Sequence, residues 1–212
     1  MPISEETANE SGVCHIVGAA PGVLSVSICP GDFCIAADGG WQALEKLGII
    51  PDLTVGDFDS SMPPQNLEII RLNPAKDVTD LYAAIQIGKE RGYRDFLLYG
   101  ALGGSWGHSA ANLQILAGLA CDGCSAAIIA QGVRITALCS GSLTLFSVNG
   151  RSVSVLAHSE TATGVTLKGM RYPLNNATLD CYFPLGVSNK ILDESAEVTV
   201  KHGVLLIIQE HT

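Results

Sequence analysis

The sequence predicts an α/β N-terminal domain with a mostly parallel sheet, followed by a smaller antiparallel all-β C-terminal domain, a sandwich or a barrel. Up to about residue 130, short apolar runs alternate with helical patterns, which is typical of βαβ units. Beyond that point the runs stay short, Gly, Asn and Pro separate them, and no helical period appears. We therefore expect an α/β domain over 13–132 and a β domain over 133–212.

In the N-terminal half, Gly, Pro and Asp interrupt the apolar runs and set the expected bounds of each element. Gly48 and Gly92 stand just past two amphipathic runs, where a helix usually ends. Thr79 or Asp80 caps the second of these helices. Strands are expected at 14–19, 33–37, 53–55, 96–99 and 126–130, and helices at 41–47, 63–70, 80–91 and 108–120.

In the C-terminal half, turn residues separate short runs that are either alternating or continuously apolar. Period-two alternation is typical of strands with one buried face. The runs that we expect to form an antiparallel sheet are 135–138, 143–148, 153–157, 164–167, 179–183, 197–200 and 204–208.

The composition is that of a chain with a substantial core and an acidic surface. Of the 212 residues, 47% are hydrophobic and 16% charged, so the chain can bury a core and is not disordered. Acidic residues outnumber basic ones by 21 to 12, giving a formal charge of −9. Nucleic acids and anionic membranes need a basic footprint, so neither is the expected partner.

Seven scattered cysteines indicate reduced thiols and a cytoplasmic protein rather than a disulfide framework. Cys121 and Cys124 form a lone CxxC, for which a zinc or redox role is the alternative to two unrelated thiols. The segment 1–12 is polar and acidic and lacks the regions of a signal peptide. No run approaches the roughly 18 apolar residues of a membrane span.

The strand expected at 53–55 ends in a cluster of carboxylates. In extended backbone, residues two apart point to the same side, so Asp57 and Asp59 would present both carboxylates to one place. Asp80 opens the next helix and can converge there. Three carboxylates repel one another unless a cation lies between them, and Mg²⁺ held by carboxylates is usually completed by substrate phosphates. These positions therefore predict metal-dependent phosphate chemistry, against the alternative of loop and capping aspartates.

Two further strand ends strengthen this interpretation. Asp38 and Gly39 end an earlier apolar run. Asp38 either binds a cation or a nucleotide, or it only forms a turn before the glycines. The loop 100–104 is glycine-rich and precedes a helix, so its N–H groups can approach an anion. Ligands of open α/β sheets gather at the carboxyl ends of the strands.

Taken together, these motifs resemble the thiamine pyrophosphokinase family. The matching pieces are ADGG at 37–40, GDFDS at 56–60, KDVTD at 76–80, Gly103–Gly104 with His108 and Asn112, and GVSN at 186–189. GDFDS combined with KDxTD is specific, whereas each motif alone is not. The motifs cover nearly the whole chain after residue 13, in the family's order.

The resemblance implies an enzyme, a thiamine diphosphokinase, that transfers the terminal diphosphate of ATP to thiamine and releases AMP. It implies Mg²⁺ as the metal, thiamine and ATP as partners, and a homodimer. Asp57, Asp59 and Asp80 match the family's metal-binding acids, and Ser188 and Asn189 match a segment near thiamine across the dimer interface. The ATP- and substrate-binding positions that it implies are Asp38, Gly39, Lys76, Asp77, Thr79, Gly103, Gly104, His108, Asn112, Ser188 and Asn189.

Transfer of a phosphate group to an alcohol needs a cation near the phosphates and an acceptor for the proton of the alcohol. Lys76 would neutralise the phosphate charge, or else it is a surface lysine. Asp77 or Asp80 would accept the proton of the attacking alcohol. His108 is a packed or capping residue or a catalyst, and Trp106 packs or stacks on a heterocycle.

The glycine loop departs from the family pattern at two positions. The family usually has an Arg and an Asp there, whereas this chain has Ser105 and Gly107. A serine cannot replace a bidentate guanidinium in charge. Either the substrate pose differs, or other residues compensate, or catalysis is weak. The alternatives are therefore the same machinery acting on another hydroxyalkyl heterocycle, such as a pterin, or a catalytically impaired thiamine- or nucleotide-binding homologue.

Overall fold

Three helices and twelve strands form in the part of the chain that the computed structural model describes, residues 12–58, 66–73, 78–147 and 152–210. The helices are α1 (Gly40–Lys46), α2 (Asp80–Glu90) and α3 (Trp106–Cys121). The strands are β1 (Val13–Val17), β2 (Phe33–Ala37), β3 (Leu53–Gly56), β4 (Ile69–Arg71), β5 (Asp95–Tyr99), β6 (Ser125–Ala130), β7 (Val133–Phe146), β8 (Ser152–Ala157), β9 (Thr161–Lys168), β10 (Leu174–Asp180), β11 (Asn189–Lys190) and β12 (Ser195–Glu210).

The first six strands form a parallel sheet in the order β4-β3-β2-β1-β5-β6, as the N-terminal pattern predicts. From β1 the chain adds β2, β3 and β4 on one side and then returns to place β5 on the other side of β1. The strand order therefore reverses between β1 and β5. In open α/β sheets, a reversal of this kind opens a crevice at the carboxyl ends of the strands, where ligands bind.

Alternating side chains of the parallel strands pack on opposite faces of the sheet. Cys14 and Ile16 of β1 lie in the larger core with residues of α2 and α3. Val17 lies on the other face, in a smaller core with Leu44 of α1. These two layers bury the sheet on both faces, which is why its strands are almost continuously apolar.

The helices end where the glycines predicted. Gly48 has φ 70° and Gly92 has φ 95°, and their N–H groups donate to the carbonyls of Glu45 and Lys89, both at 3.0 Å. These left-handed positions just past a helix suit glycine, which has no Cβ. The longest helix, α3, has 16 residues. Within the described ranges, no helix combines the length and apolarity that crossing a membrane requires.

The C-terminal strands continue the same sheet in antiparallel fashion. One edge of β7 pairs with β6 over Val133–Thr136. The other edge of β7 pairs with β12 along nearly its whole length. The other edge of β12 pairs with β9 near its start and with β8 near its end. The sheet bends around β12 and encloses a separate core that includes Val155, Val165 and Ile207. The division into 13–132 and 133–212 remains a prediction.

Several element predictions are wrong. Instead of a helix over 63–70, the described part of that segment forms β4 at Ile69–Arg71, whose edge pairs with β3. The first strand ends at Val17 rather than at 19. β10 begins well before the run at 179–183, because its exposed polar residues gave no apolar alternation.

Two pairs of predicted strands are each one long, irregular strand. The runs 135–138 and 143–148 belong to β7, and the runs 197–200 and 204–208 belong to β12. The polar residues between the runs resemble a turn in the sequence. In the structure they form a register shift in which Ser140 (φ 46°) and Gly203 (φ 100°) adopt left-handed backbone, so both strands bend without ending.

Candidate active site

A cleft of about 310 Å³ opens at the strand ends where the order of the sheet reverses. Four parts of the chain surround it: the turn after β1, the end of β2, the start of α2, and the loop from β5 into α3. The lining residues are Gly18, Ala19, Ala20, Pro21, Ala37, Asp38, Thr79, Asp80, Leu81, Gly100, Ala101, Gly104, Ser105, His108, Ser109 and Asn112.

The turns after β1 and β5 approach each other closely beside this cleft. Gly18 donates its N–H to Tyr99 at 2.8 Å, and the N–H of Ala20 donates to the carbonyl of Gly100 at 3.1 Å. Gly100 has φ 56°, and a Cβ there would come within 2.2 Å of the oxygen of Gly18. Glycine is therefore required at position 100 both for its backbone conformation and for the space.

Two non-glycine residues with positive φ follow the neighbouring strands β2 and β3. Asp38 has φ 49° and Phe58 has φ 56°. Aspartate tolerates this region, but a bulky aromatic there costs about 1–3 kcal/mol and needs surrounding structure to hold it. Phe58 is 5% exposed, and its burial supplies that structure. Strain of this kind concentrates at functional sites, and no sequence pattern predicts it here.

The premise that Asp57 and Asp59 continue an extended strand is wrong. β3 ends at Gly56, and the left-handed backbone at Phe58 interrupts the two-residue period. Asp57 lies just past the end of β3, next to the strand that Asp38 follows, because the N–H of Asp38 donates to Val55 at 2.7 Å, but Asp57 is not among the residues that line the cleft. Asp59 lies outside the described residues, as do Lys76 and Asp77.

Asp38 and Asp80 both line the cleft, so the structure brings together the acid that follows β2 and the acid that begins α2. Within the described ranges, no three His, Cys, Asp or Glu side chains are grouped to hold a metal, and the predicted trio includes Asp59, which those ranges omit. The donor chemistry of Asp57 and Asp80 fits Mg²⁺, which prefers carboxylate oxygen and binds through one or two carboxylates plus substrate phosphates.

Two helices begin at the cleft. The Oγ1 atom of Thr79 accepts from the N–H of Tyr82 at 3.2 Å and so caps α2, as predicted. Ser105 is the N-cap residue of α3 but makes no side-chain cap hydrogen bond. The N–H groups of the first turn of α3 therefore lack a serine partner. A helix N-terminus carries partial positive charge and suits an anion.

The loop between β5 and α3 is held by side chains of α3. Asn112 is 6% exposed, and its Nδ2 donates to the carbonyl of Ala101 at 2.7 Å. The Oγ atom of Ser109 donates to the carbonyl of Ser105 at 3.0 Å and accepts from Gly103 at 3.4 Å. Asn112, predicted as a binding residue, thus also positions the loop. The sequence signal for this role is an amide on the buried side of a helix.

The remaining predicted residues of this half differ in their placement. Gly104 and His108 line the cleft, whereas Gly39 and Gly103 are not among its lining residues. The interpretation of His108 as packed is wrong, since its side chain is exposed. The packed interpretation of Trp106 is also wrong, because this residue is 92% exposed at the start of α3.

Ser188 and Asn189 lie in the C-terminal half and do not line the cleft. Asn189 is 3% exposed, its Oδ1 accepts from the N–H of Tyr172 at 2.9 Å, and its Nδ2 donates to the carbonyl of Tyr172 at 2.8 Å. Ser188 is exposed, has φ 58°, and donates its N–H to Ser154. Asn189 therefore holds the backbone of Tyr172, a role that no sequence pattern indicated.

The segment before Ser188 exposes four large apolar side chains, which we call the 182–187 patch: Tyr182 (82% exposed), Phe183 (63%), Leu185 (53%) and Val187 (49%). Single exposed apolar residues are ordinary, but a group of them usually marks an interaction surface. This run contains Pro184 and Gly186 and has no strand period, so its sequence predicts only the end of a strand at residue 183 and, from residue 186, a motif of the resembled family.

Two family models match the chain. The model for the thiamin pyrophosphokinase catalytic domain matches residues 29–128, and the model for the thiamin pyrophosphokinase vitamin B1 binding domain matches residues 144–205. The chain is also 28% identical over 183 residues to the thiamine pyrophosphokinase of Bacillus subtilis (strain 168). This match covers 82% of this chain and 86% of that protein.

Two solved structures share the whole architecture. The crystal structure of thiamine pyrophosphokinase from Bacillus subtilis matches with a TM-score of 0.86 and 25% identity, over 95% of this chain and all (100%) of that one. The thiamin pyrophosphokinase from Geobacillus thermodenitrificans matches with a TM-score of 0.84 and 26% identity, over 95% of this chain and 98% of that one.

Proposed function

Because the chain belongs to the thiamine pyrophosphokinase family, we propose that it makes thiamine diphosphate by moving the terminal diphosphate of ATP onto the hydroxyethyl oxygen of thiamine. Enzymatic formation of thiamine diphosphate follows from the family. The ATP donor, the AMP product, the metal, the site residues and the assembly are our proposal. The observation that carries it is the cleft at the strand reversal, where Asp38, Asp80 and the first turn of α3 meet.

The charge of the cleft supports a metal-bound nucleotide. Its described lining includes two carboxylates, Asp38 and Asp80, and neither Lys nor Arg. A triphosphate would be repelled there without a compensating cation. Asp57, Asp59 and Asp80 would hold Mg²⁺ at this edge of the sheet. When bound, such an ion neutralises phosphate oxygens and stabilises the charge that develops during transfer.

The residues of this chain then have separate tasks. The hydroxyl oxygen of thiamine forms a bond to the β-phosphorus of ATP, the bond from that phosphorus to the α–β bridging oxygen breaks, and AMP leaves with that oxygen. Asp80, or Asp77, accepts the proton of the hydroxyl. Lys76 neutralises phosphate charge. Since little covalent chemistry falls to the protein, most of the catalysis is positioning and electrostatic stabilisation.

The start of α3 compensates for the missing guanidinium. Ser105 occupies the position where the family usually has Arg, and it leaves the first N–H groups of α3 without a side-chain cap. Those N–H groups bind a phosphate oxygen in our proposal, with Gly104 and His108 beside them in the cleft. Gly107, at the family's Asp position, leaves the first turn of α3 without that carboxylate.

Thiamine binding involves the C-terminal half. The matched vitamin B1 binding model spans the 182–187 patch, Ser188 and Asn189. Since Ser188 and Asn189 do not line the cleft of their own chain, we propose a homodimer in which the partner's C-terminal half completes the substrate site. The exposed apolar side chains of the 182–187 patch supply the contact surface. Both matched models favour thiamine over a pterin.

The test is to measure AMP and thiamine diphosphate after incubating the protein with ATP and Mg²⁺, with and without thiamine. We expect equal amounts of both products, thiamine dependence, and loss of turnover with excess chelator. ADP as the nucleotide product would overturn the diphosphate transfer. Thiamine-independent AMP release would overturn thiamine as the acceptor, and the same assay with a hydroxymethyl pterin would then be decisive.

A further inference from the structure

Two thiols that the sequence does not associate are adjacent in the structure. The Sγ atom of Cys121 donates a hydrogen bond to the Sγ atom of Cys139, and the two sulfurs are 2.9 Å apart. Cys121 is the last residue of α3 and is exposed, whereas Cys139 lies in β7 and is partly exposed. A soluble reagent can therefore reach the pair.

The surrounding fold explains this contact. Side chains alternate along a strand, so Cys139 shares a face of β7 with Ile135 and Ala137, which pack in the core beneath α3. The helix ends against this face and brings Cys121 to it. Cys124, the other member of the CxxC, is instead buried in that core. Cys121 therefore contacts Cys139 across two elements, rather than Cys124 within the CxxC.

We propose that Cys121 and Cys139 form a reversible oxidation site, at which a low-molecular-weight disulfide converts the two thiols into one bond that fastens α3 to β7. A disulfide has a sulfur separation of about 2.05 Å, so the two atoms need to approach by less than about 1 Å. This site is independent of the reaction proposed above.

The chemistry is two successive exchanges. One cysteine loses its proton, and its thiolate attacks the small disulfide, forming a mixed disulfide and releasing one small thiolate. The second cysteine loses its proton, attacks the protein sulfur of the mixed disulfide and releases the other small thiolate. Two protein thiols are oxidised, one small disulfide is reduced to two thiols, and the two protons end on those products.

The protonation of the pair sets its rate. Although Cys121 as a whole is exposed, partial desolvation of its sulfur, followed by the hydrogen bond to Cys139, raises the pKa of the Cys121 thiol to about 11. Since the thiolate is the attacking form, exchange at Cys121 should be slow at neutral pH and faster at pH 9. The closed bond spans 18 positions and constrains the unfolded chain, so we expect it to raise Tm by about 5–10 °C.

The experiment incubates the full chain with oxidised glutathione, or with reductant, and then combines non-reducing tryptic mapping with thermal unfolding. Trypsin cleaves after Lys and Arg, so Cys121 and Cys124 fall in peptide 95–134 and Cys139 in peptide 135–151. The expected product is these two peptides cross-linked, with a loss of the mass of two hydrogen atoms and a raised Tm.

Three single variants separate the alternatives. Cys121→Ser and Cys139→Ser should each abolish the cross-link and the increase in Tm, whereas Cys124→Ser, the matched control, should retain both. A bond inside peptide 95–134 would overturn the proposal in favour of the CxxC. Stable glutathione adducts on unlinked peptides, or a cross-link without any increase in Tm, would also overturn it, since neither fastens α3 to β7.

Discussion

The parallel and antiparallel parts of this sheet present different kinds of surface. In the parallel part, β2 and β3 are followed directly by Asp38 and Asp57, and glycines let the turns after β1 and β5 meet. The antiparallel part instead carries the 182–187 patch, a group of neighbouring exposed apolar side chains in which Tyr182 is 82% and Phe183 63% exposed.

Strand direction explains the difference. Parallel strands place all their carboxyl ends at one edge, so polar residues from distant positions in the chain gather there. Antiparallel strands alternate their ends, so the strand ends gather no such cluster and the surface between them is available for contact. The parallel part is therefore suited to the reaction, and the antiparallel part to binding a substrate or a second copy of the chain.

The largest expected effect separates chemistry from binding. Asp80→Asn removes one of the two carboxylates that line the cleft and keeps the shape of the side chain. We expect kcat to fall by about 10²–10⁴, the usual contribution of a general base, while thiamine binding measured by calorimetry is retained. Asp193→Asn, in an exposed C-terminal loop, is the matched control and should leave kcat unchanged. An Asp80→Asn variant with near-normal turnover would contradict the role of this acid.

The second prediction concerns the floor of the cleft. Gly100→Ala places a Cβ within 2.2 Å of the oxygen of Gly18 and strains a backbone at φ 56°. We expect the free energy of unfolding in urea to fall by about 3 kcal/mol or more. Gly118→Ala on the exposed side of α3, where a Cβ meets nothing within 4 Å, should instead gain about 0.5–1 kcal/mol. Equal stability of the two variants would mean that the approach of the two turns is not tight.

The same contrast explains which parts of the fold the sequence predicts. The strand at 33–37 was predicted with its observed bounds, because it is continuously apolar and Asp38–Gly39–Gly40 ends it. In the antiparallel part, β7 and β12 were each predicted as two strands, because bulges have the same composition as turns. A bulge is maintained by pairing with the partner strand, and that partner is distant in the sequence.

For the site, residue types were predictable but roles were not. The acids at positions 38, 57 and 80 follow from strand and helix ends. The hydrogen bonds of Asn112 to Ala101 and of Asn189 to Tyr172 depend on contacts between separate elements. The left-handed backbone at Phe58 depends on its burial in the folded chain. An amide on the buried side of a helix is a local signal for Asn112, but no local pattern identifies its partner or encodes the other two features.

The third prediction tests the contact role of the antiparallel part. Phe183→Ser removes an exposed aromatic ring from the 182–187 patch, and central aromatic residues commonly dominate the energy of an interface. We expect the dimer dissociation constant, measured by sedimentation equilibrium, to rise about 30-fold. Leu24→Ser removes a similarly exposed apolar side chain outside the patch and should have no effect. A wild-type chain that stays monomeric at every concentration would reject the proposed dimer.

The prediction with the smallest expected effect concerns a pH-dependent contribution to stability. The residue involved, Asp32, directly precedes β2 and so lies at the edge of the parallel sheet opposite the cleft. Asp32 is 8% exposed and accepts from the N–H groups of Val13 and Cys29, both at 2.8 Å, and lies 3.0 Å from Nε2 of His15. Burial alone would raise the pKa of this carboxyl, but the hydrogen bonds from Cys29, Val13 and His15 outweigh it, so the pKa is lowered from its usual 3.8.

Because the folded pKa of Asp32 is below the unfolded one, its ionised form stabilises the fold above about pH 4, and this contribution disappears as the pH falls through the lower, folded value. Asp32→Asn should therefore lower the free energy of unfolding by about 1–3 kcal/mol at pH 7. The difference from wild type should shrink between pH 5 and pH 3, as measured by urea titrations at each pH. Asp193→Asn controls for the loss of one charge. A difference that stays constant over this range would show that Asp32 stabilises the fold through its shape and not through its charge.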